Sequence, residues 1–350
     1  MKPQTTVAFF DAKPYDRIYF DAANEKFGFN INYFETRLSA ATVGLAANAA
    51  VLCAFVNDKI DGEVIAALEK KHLRLIALRC AGYNNIDLKA VWQKIRVARV
   101  PAYSPYAIAE HAAALLLALT RHLPQAYNRA REGNFLLNGL TGRDLHGKTL
   151  GVVGTGKIGK IAADIFRGFG MKIIAFDKFP DEKWAAASGA AYVGIDDLCR
   201  QSDVITLHSP LTPETYHLVN AEKLALMKKD VVLINTGRGA LIDAAALVEA
   251  LKNQRLGGAG LDVYEEEEDY FFEDNSLQAI KDDVLARLLT FPNVIITGHQ
   301  AFFTAEALSA IAQTTLENIR QFLADGALPN EICYKCGASE CPRPQTGKCF

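Results

Sequence analysis

Short apolar runs alternate with amphipathic stretches along most of the chain. Apolar runs of about four to eight residues bounded by turn residues predict buried strands, and longer stretches with a period near 3.6 predict helices. In the first hundred residues the runs TVAFFD (6–11), INYFE (31–35), VLCAFV (51–56), LRLIALRC (73–80) and RVARVP (96–101) read as strands. A helix is predicted from Gly62 to Lys71, with Asp61 as N-cap because its carboxylate accepts an orphan backbone N–H. Ser104 and Pro105 open a long apolar helix that reaches about His122, and Pro124 limits its end. A second strand–helix series follows: TLGVVG (149–154), MKIIAFD (171–177), AAYVG (190–194), DVITLHS (203–209), DVVLINTG (230–237), GAGLDVY (258–264) and NVIITGH (293–299). The last helix runs from Thr304, its predicted cap, to about Ala324, with Glu306 in its first turn.

Strands that alternate with helices imply parallel βαβ units with right-handed crossovers, hence an α/β protein. A length of 350 residues fits two such domains. One stretch tests this reading, because residues 38–56 carry no charge over nineteen positions, roughly the length of a membrane span. It is mostly alanine and is interrupted by Ser39, Thr42, Gly44 and Asn48. A short helix around Ala40–Ala47, a turn and the buried strand 51–56 describe it better. The first residues, MKPQTTVAFFDAKPYD, hold no signal-peptide core. A cytoplasmic protein without a membrane partner is expected.

Composition narrows the function. Half of the residues are hydrophobic and 22% are charged, enough to build sizeable cores and too ordered a mix for a disordered chain. Lys plus Arg minus Asp plus Glu is 38 − 40 = −2, so no basic excess points to nucleic acid or to an anionic membrane. Cys53, Cys80 and Cys199 lie in or beside apolar segments and read as small buried hydrophobes.

The most specific local motif is Gly154-Thr155-Gly156-Lys157-Ile158-Gly159. It closes a predicted strand and opens a helix, and Asp177 follows at the end of the next strand, eighteen residues after Gly159. That context matches the dinucleotide-binding fingerprint. Gly154 permits the tight turn, Gly156 lets the backbone approach a pyrophosphate, and Gly159 lets helix and strand pack closely. The helix N-terminus then faces the phosphates with unpaired N–H groups. Asp177 would accept hydrogen bonds from the adenosine ribose and repel a 2′-phosphate, which favours NAD over NADP; the adjacent Lys178 partly offsets that preference.

Three more predicted strands end in NTGRG (235–239), LDVYEEEED (261–269) and ITGHQAFFT (296–304). Each supplies one ionisable residue of a different kind: Arg238, Glu267 and His299. Reduction of a 2-keto acid needs a cation for the carboxylate, a hydride from a nicotinamide and a proton for the carbonyl oxygen. A planar guanidinium suits the first role, the cofactor the second and a histidine beside a carboxylate the third. Taken singly, Arg238 also reads as a turn residue, the five acids 265–269 as a solvated face and His299 as a core histidine. All three at strand ends beside a nucleotide loop favour the catalytic reading.

The segments VPAYSPYAIAEHAAALLLALTR, GVVGTGKIG, LHSPLTPET, INTGRGALID, GLDVYEEE and TGHQAFFTAEAL resemble the D-isomer-specific 2-hydroxyacid dehydrogenases over about residues 6–332. CAGYNNID and the loop EEEEDYFFEDNSLQAIKDDVLARLL are similar to the fermentative D-lactate branch, which implies NADH-dependent reduction of pyruvate. Another small or branched 2-keto acid is the alternative within the class, and an NAD-sensing interaction module the alternative outside it. The resemblance implies two Rossmann-like or flavodoxin-like domains with parallel sheets and an active site in the cleft between them. A discontinuous substrate domain (1–101 and 300–332) would enclose an NAD-binding domain (102–299), followed by a Cys-rich tail (333–350). It also implies roles. Arg238 would bind the substrate carboxylate, His299 would be the general acid/base with Glu267 as its partner, and Asp262 would hold the nicotinamide carboxamide. Thr236 would join the cofactor contacts. Backbone N–H groups of Ala81 and Gly82 would take the other side of the carboxylate, with Tyr103 near the substrate and Phe302 walling its side-chain pocket. His208 would either touch the cofactor or serve a structural role. A homodimer or homotetramer is implied as well.

The tail fits neither pattern. Cys333, Cys336, Cys341 and Cys349 are spaced C-x2-C-x4-C-x7-C. C-x2-C is a real zinc-ligand pair, yet the remaining spacing matches no zinc motif. A short tail rich in Pro and Gly reads foremost as unstructured, with no metal expected; a thiol-redox role is the third reading.

Overall fold

The computed structural model describes residues 5–71, 73–326, 328–336 and 349. The chain divides into two compact units, Met1–Ser104 with Thr304–Phe350, and Pro105–Phe303. The divisions fall at Ser104/Pro105 and Phe303/Thr304, a few residues beyond the linkers expected near 101 and 300. Cys333, Cys336 and Cys349 fall within the first unit.

The first unit holds five parallel strands: β1 (Thr6–Phe9), β2 (Asn30–Tyr33), β3 (Val51–Ala54), β4 (Leu75–Leu78) and β5 (Arg96–Ala98). Their order, β2-β1-β3-β4-β5, is that of flavodoxin-like sheets. β3 and β4 are buried along their whole length, as continuous apolar runs demand of central parallel strands. The helix Gly62–Lys70 is capped by Asp61, which accepts the Val64 N–H at 3.1 Å. Thr304 caps the last helix, Ala305–Asp325, by accepting the Ala307 N–H at 3.2 Å. That helix packs against β4 and the helix Pro14–Asn24, which returns the end of the chain to the unit where it began.

Two features of this unit were not anticipated. Residues 40–47 form turns and a short 3-10 helix, Val43–Ala46, in place of an α-helix. The Thr42 hydroxyl donates to Arg37 O at 2.7 Å and accepts the Ser39 N–H at 2.9 Å, so local hydroxyl bonds compete with helix formation. The second feature is Arg79, fully buried just after β4. Its guanidinium donates to Phe10 O (3.0 Å) and Asp11 O (2.6 Å), faces Asp16 at 3.4 Å, and lies over the rings of Phe9 and Phe55.

Residues 330–332 run along the edge of β5. Arg99 N–H donates to Asn330 O, Ile332 N–H donates to Val97 O, and Ala98 bridges antiparallel to Glu331. Beyond them the thiols of Cys333, Cys336 and Cys349 are brought together. Cys341 lies outside the described residues.

The second unit carries seven parallel strands: β6 (Thr149–Val153), β7 (Lys172–Phe176), β8 (Ala191–Tyr192), β9 (Val204–Leu207), β10 (Val232–Asn235), β11 (Gly258–Leu261) and β12 (Val294–Ile296). Their order is β12-β11-β10-β9-β6-β7-β8. Chain order therefore reverses between β6 and β9, the topological switch point at which doubly wound sheets bind ligands. Helices Pro105–Thr120 and Lys157–Gly168 pack together on one face over a core that includes Leu116, Leu150 and Phe166. Helix Ala244–Lys252 contributes to the core on the other face. Pro124 does more than limit the first of these helices. It sits in the opening turn of a new one, Leu123–Arg131, after His122 takes a left-handed φ of 51°. The thiols of Cys53 and Cys199 are buried, which pushes them up to about 12 and about 11 and leaves them inert at neutral pH. Among the described residues no helix is long and apolar enough to cross a membrane.

Candidate active site

In a parallel sheet every strand ends on the same edge. Along that edge of the second unit the order β12, β11, β10, β9, β6, β7 lines up His299, Asp262 with Glu267, Thr236 with Arg238, His208, the glycine loop and Asp177. At roughly 4.8 Å per strand, Arg238's strand stands about 10 Å from that of the glycine loop.

The glycine loop has the geometry that its sequence demands. Gly154 takes φ 93°, and a Cβ there would stand 2.6 Å from Ser209 N. A Cβ on Gly159 would stand 1.9 Å from Gly154 O, so helix and strand close only over glycine. Gly156, the N-cap of Lys157–Gly168, has open space around it and supplies no side-chain cap. The first N–H groups of this helix, at Lys157 and Ile158, are thus left for an anion. Lys157 is exposed, whereas Ile158 packs against the core below.

Asp177 ties itself to the loop. Its Oδ2 accepts the Thr155 N–H at 2.6 Å and the Thr155 hydroxyl at 3.1 Å, and its Oδ1 accepts the Phe179 N–H at 2.8 Å. The Thr155 hydroxyl also meets Tyr192 Oη at 2.7 Å. Lys178 lies 3.9 Å from Glu214, a carboxylate that competes for its charge.

Two polar atoms between the loop and Arg238 are buried without a hydrogen-bond partner among the described residues: His208 Nδ1 and Thr236 Oγ1. Such orphans are costly unless a ligand completes them. Burial pushes the His208 imidazole down to about 4, so it is neutral at working pH, and its Nε2 meets Thr206 Oγ1 at 2.9 Å. Both orphans, the uncapped helix and the acid at β7 fit a dinucleotide laid across β7, β6, β9 and β10.

At the other end, Asn235 shapes the turn that carries Arg238. Its amide donates to Arg238 O at 2.9 Å and its Oδ1 accepts the Gly237 N–H at 3.0 Å. The half-buried guanidinium makes one bond, to Gly237 O at 2.8 Å, and has no carboxylate partner among the described residues. Glu267 is fixed by accepting the Tyr264 N–H at 3.0 Å, and its other oxygen lies 2.7 Å from His299 Nδ1. This pairing places the proton on Nδ1 in the neutral ring. Nε2 has no protein partner among the described residues, so it is left for another molecule.

Asp262 plays a part that the sequence did not reveal. It is fully buried, and its two oxygens accept the Thr297 hydroxyl (2.5 Å), the Gln300 N–H (2.8 Å) and the Ala301 N–H (2.8 Å). Its own carbonyl accepts the His299 N–H at 2.7 Å, which helps hold His299 at a left-handed φ of 53°. His111, from helix Pro105–Thr120, adds a contact to Thr297 at 3.1 Å. Asp262 thus orients the loop that presents the histidine. Phe272 was also missed, because it hides in an acid-rich loop. Its ring centroid lies 5.9 Å from that of His299 and 6.5 Å from that of Phe302, which is buried.

Ala81, Gly82 and Tyr103 belong to the first unit. Ala81 and Gly82 follow β4, and their N–H groups have no acceptor among the described residues, while Ala81 O accepts from Arg99 at 2.6 Å. Tyr103 is half-buried just before the division between the units.

Comparison with known proteins agrees with this geometry. The family profile described as "D-isomer specific 2-hydroxyacid dehydrogenase, NAD binding domain" matches residues 113–301. The D-lactate dehydrogenase of Escherichia coli (strain K12) is 48% identical over 327 residues, 93% of this chain and 99% of that protein. The 2-hydroxyacid dehydrogenase homolog 1 of Schizosaccharomyces pombe is also 48% identical, over 93% of this chain and 98% of its own. The solved structure of the pyruvate reductase of Chlamydomonas reinhardtii superposes with a TM-score of 0.89 at 43% identity, covering 93% of this chain and 98% of that one. A dinucleotide loop at the switch point and an Arg–Glu–His set on the same sheet edge find their explanation here: the chain belongs to the D-isomer specific 2-hydroxyacid dehydrogenases and is an NAD-dependent enzyme of that family.

Proposed function

We propose that the enzyme is a D-lactate dehydrogenase, interconverting pyruvate and D-lactate. The observation that carries this reading is the presence, at strand ends one strand apart on the same sheet edge, of two groups left without a full set of partners among the described residues: the Arg238 guanidinium and His299 Nε2. Arg238 binds the substrate carboxylate through two parallel N–H donors and draws the adjacent carbonyl into register. His299 Nε2 donates a proton to the carbonyl oxygen as it becomes an alkoxide, and Glu267 holds the ring so that Nε2 faces that oxygen. NAD in its reduced form supplies the hydride. In the reverse direction Nε2 takes the proton from the hydroxyl.

Gly154, Thr155, Gly156, Lys157, Ile158, Gly159 and Asp177 hold the adenosine and pyrophosphate half in this reading, and His208 and Thr236 face the remainder. Asp262 holds the 297–301 loop and is assigned to the nicotinamide carboxamide. Ala81, Gly82 and Tyr103 are assigned to the substrate as well. Phe272 and Phe302 beside His299 favour a small apolar side chain, which suits a methyl group better than a phosphorylated one. Relatives named D-lactate dehydrogenase or pyruvate reductase support the same substrate, while others carry only the broader 2-hydroxyacid dehydrogenase name. We assign the enzyme to the cytoplasm and to a homodimer or homotetramer on the same footing.

The test follows NADH absorbance with pyruvate, 2-ketoisocaproate, phenylpyruvate and 3-phosphohydroxypyruvate, with chiral analysis of the product. The expected result is the highest kcat/KM for pyruvate and D-lactate as product. A preference for 2-ketoisocaproate keeps the chemistry and refutes the substrate. L-lactate, or no turnover with any of the four, overturns the reading.

A further inference from the structure

The tail holds a cluster that the dehydrogenase chemistry does not use. The sulfur atoms of Cys333, Cys336 and Cys349 all lie within 4.8 Å of one another. Cys333 Sγ and Cys336 Sγ are 3.8 Å apart, and Cys336 Sγ and Cys349 Sγ are 3.9 Å apart. A disulfide requires about 2.05 Å. Thiolates at about 2.3 Å from a tetrahedral zinc ion stand about 3.8 Å from one another. Both separations match the second geometry.

The surroundings show how the cluster is held. Residues 330–332 are fastened to β5, so Cys333 begins from a fixed point. Cys336 N–H donates to Cys333 O at 3.1 Å, which closes the C-x2-C turn, and Cys333 N–H donates to Cys336 Sγ at 3.2 Å. Backbone N–H donors to sulfur commonly support metal-bound thiolates. Cys349 N–H donates at 2.6 Å to Glu331, which is buried and also paired with Arg96. Cys333 and Cys349 are buried, and Cys336 is the more exposed of the three. Among the described residues Trp92 packs against Cys333 and Cys349.

We propose that Cys333, Cys336 and Cys349 form a thiolate site for Zn2+ that fastens residue 349 to the edge of the first unit. Thiolate sulfur selects soft or borderline ions of this type over magnesium or calcium. The two ends of the site are reached by the chain at Cys333–Cys336 and again at Cys349, so the metal closes a loop and stabilises the first unit beside β5. Cys341 lies outside the described residues, and the site is defined without it.

The full-length protein, purified without chelator or added metal, is analysed for zinc before and after incubation with Zn2+ and desalting. A second sample is loaded with Co2+, whose spectrum reports thiolate ligands by charge-transfer absorption in the near ultraviolet. The expected result is roughly one equivalent of zinc per chain and a thiolate-to-cobalt band. Cys336→Ser, chosen because Cys336 is the most exposed ligand, is expected to weaken zinc at least tenfold while pyruvate turnover at ambient temperature stays at the wild-type level. Cys349→Ser gives the same loss. Turnover shows in each case that the chain is folded. Less than about one tenth of an equivalent before and after loading, with no thiolate-to-cobalt band, overturns the site. So does zinc bound equally by wild type and both variants, or a disulfide among these cysteines in the protein as isolated.

Discussion

Arg79 and Arg238 occupy the same kind of position, just past the end of a parallel strand, yet they live differently. Arg79, in the first unit, is fully buried and its charge is matched: two carbonyls accept from its terminal nitrogens, the Asp16 carboxylate faces its Nε at 3.4 Å, and two aromatic faces flank the guanidinium. Arg238, in the second unit, keeps most of its donors unused, with one bond to its own turn. A charge matched inside the protein ties elements together. A charge left unmatched on a rigid turn is available for a substrate, and the protein holds that capacity ready by fixing the backbone through Asn235. His299 repeats the pattern at the next strand but one, with Nδ1 held by Glu267 and Nε2 without a partner among the described residues.

The contrast is broken most sharply at His299. His299→Ala is expected to lower kcat by about 10²–10⁴-fold, the range of a general acid, while NADH binds as in the wild type. Stopped-flow turnover and NADH fluorescence titration measure the two effects. Arg79→Met should do the opposite. It removes the guanidinium that faces Asp16 in a buried site and is expected to destabilise the first unit by about 3–5 kcal/mol in urea unfolding. Its kcat should hold in whatever fraction remains folded.

The smallest effect is expected at His208. Replacement by Ala removes one neutral contact, so KM for NADH should rise by less than about tenfold, in line with one hydrogen bond of roughly 0.5–1.5 kcal/mol. The same residue carries a pH signature. Its ring titrates near 4 in the folded chain, against about 6.5 when unfolded. The unfolded state therefore binds more protons between those values, and stability is lost as pH falls from about 6.5 toward 4. Unfolding curves of His208→Ala across that window should show a shallower loss.

Much of this was legible in the sequence because the signals are local. The apolar runs gave twelve strands their places, and the spacing from Gly154 to Asp177 needs only one strand–helix–strand unit to acquire meaning. Arg238, Glu267 and His299 stood out as ionisable residues at strand ends. What was hidden depends on contacts distant in sequence. Nothing in LDVYE reveals that the Asp262 carboxylate accepts from Thr297, Gln300 and Ala301. Phe272 was masked by its acidic neighbours, although the pair Phe271–Phe272 inside such a loop is itself an apolar signal. Arg79 lay in a strand-like run and gave no sign of its partners around Phe10 and Asp16. The closeness of Cys349 to Cys333 was not legible in the tail's spacing, because it goes with the anchoring of Glu331 to β5 and to Cys349 N–H.

The central claim is that Arg238 serves a substrate and not the fold. It is tested most directly by measuring kcat/KM for pyruvate and the melting temperature on the same preparation of Arg238→Met. A truncated charge pair costs about 2–5 kcal/mol, so kcat/KM should fall by roughly 30- to 5,000-fold. The melting temperature should match that of the wild type, since no carboxylate among the described residues loses a partner. Turnover within a few-fold of wild type, or a loss of activity that tracks a fall in melting temperature, would contradict the account.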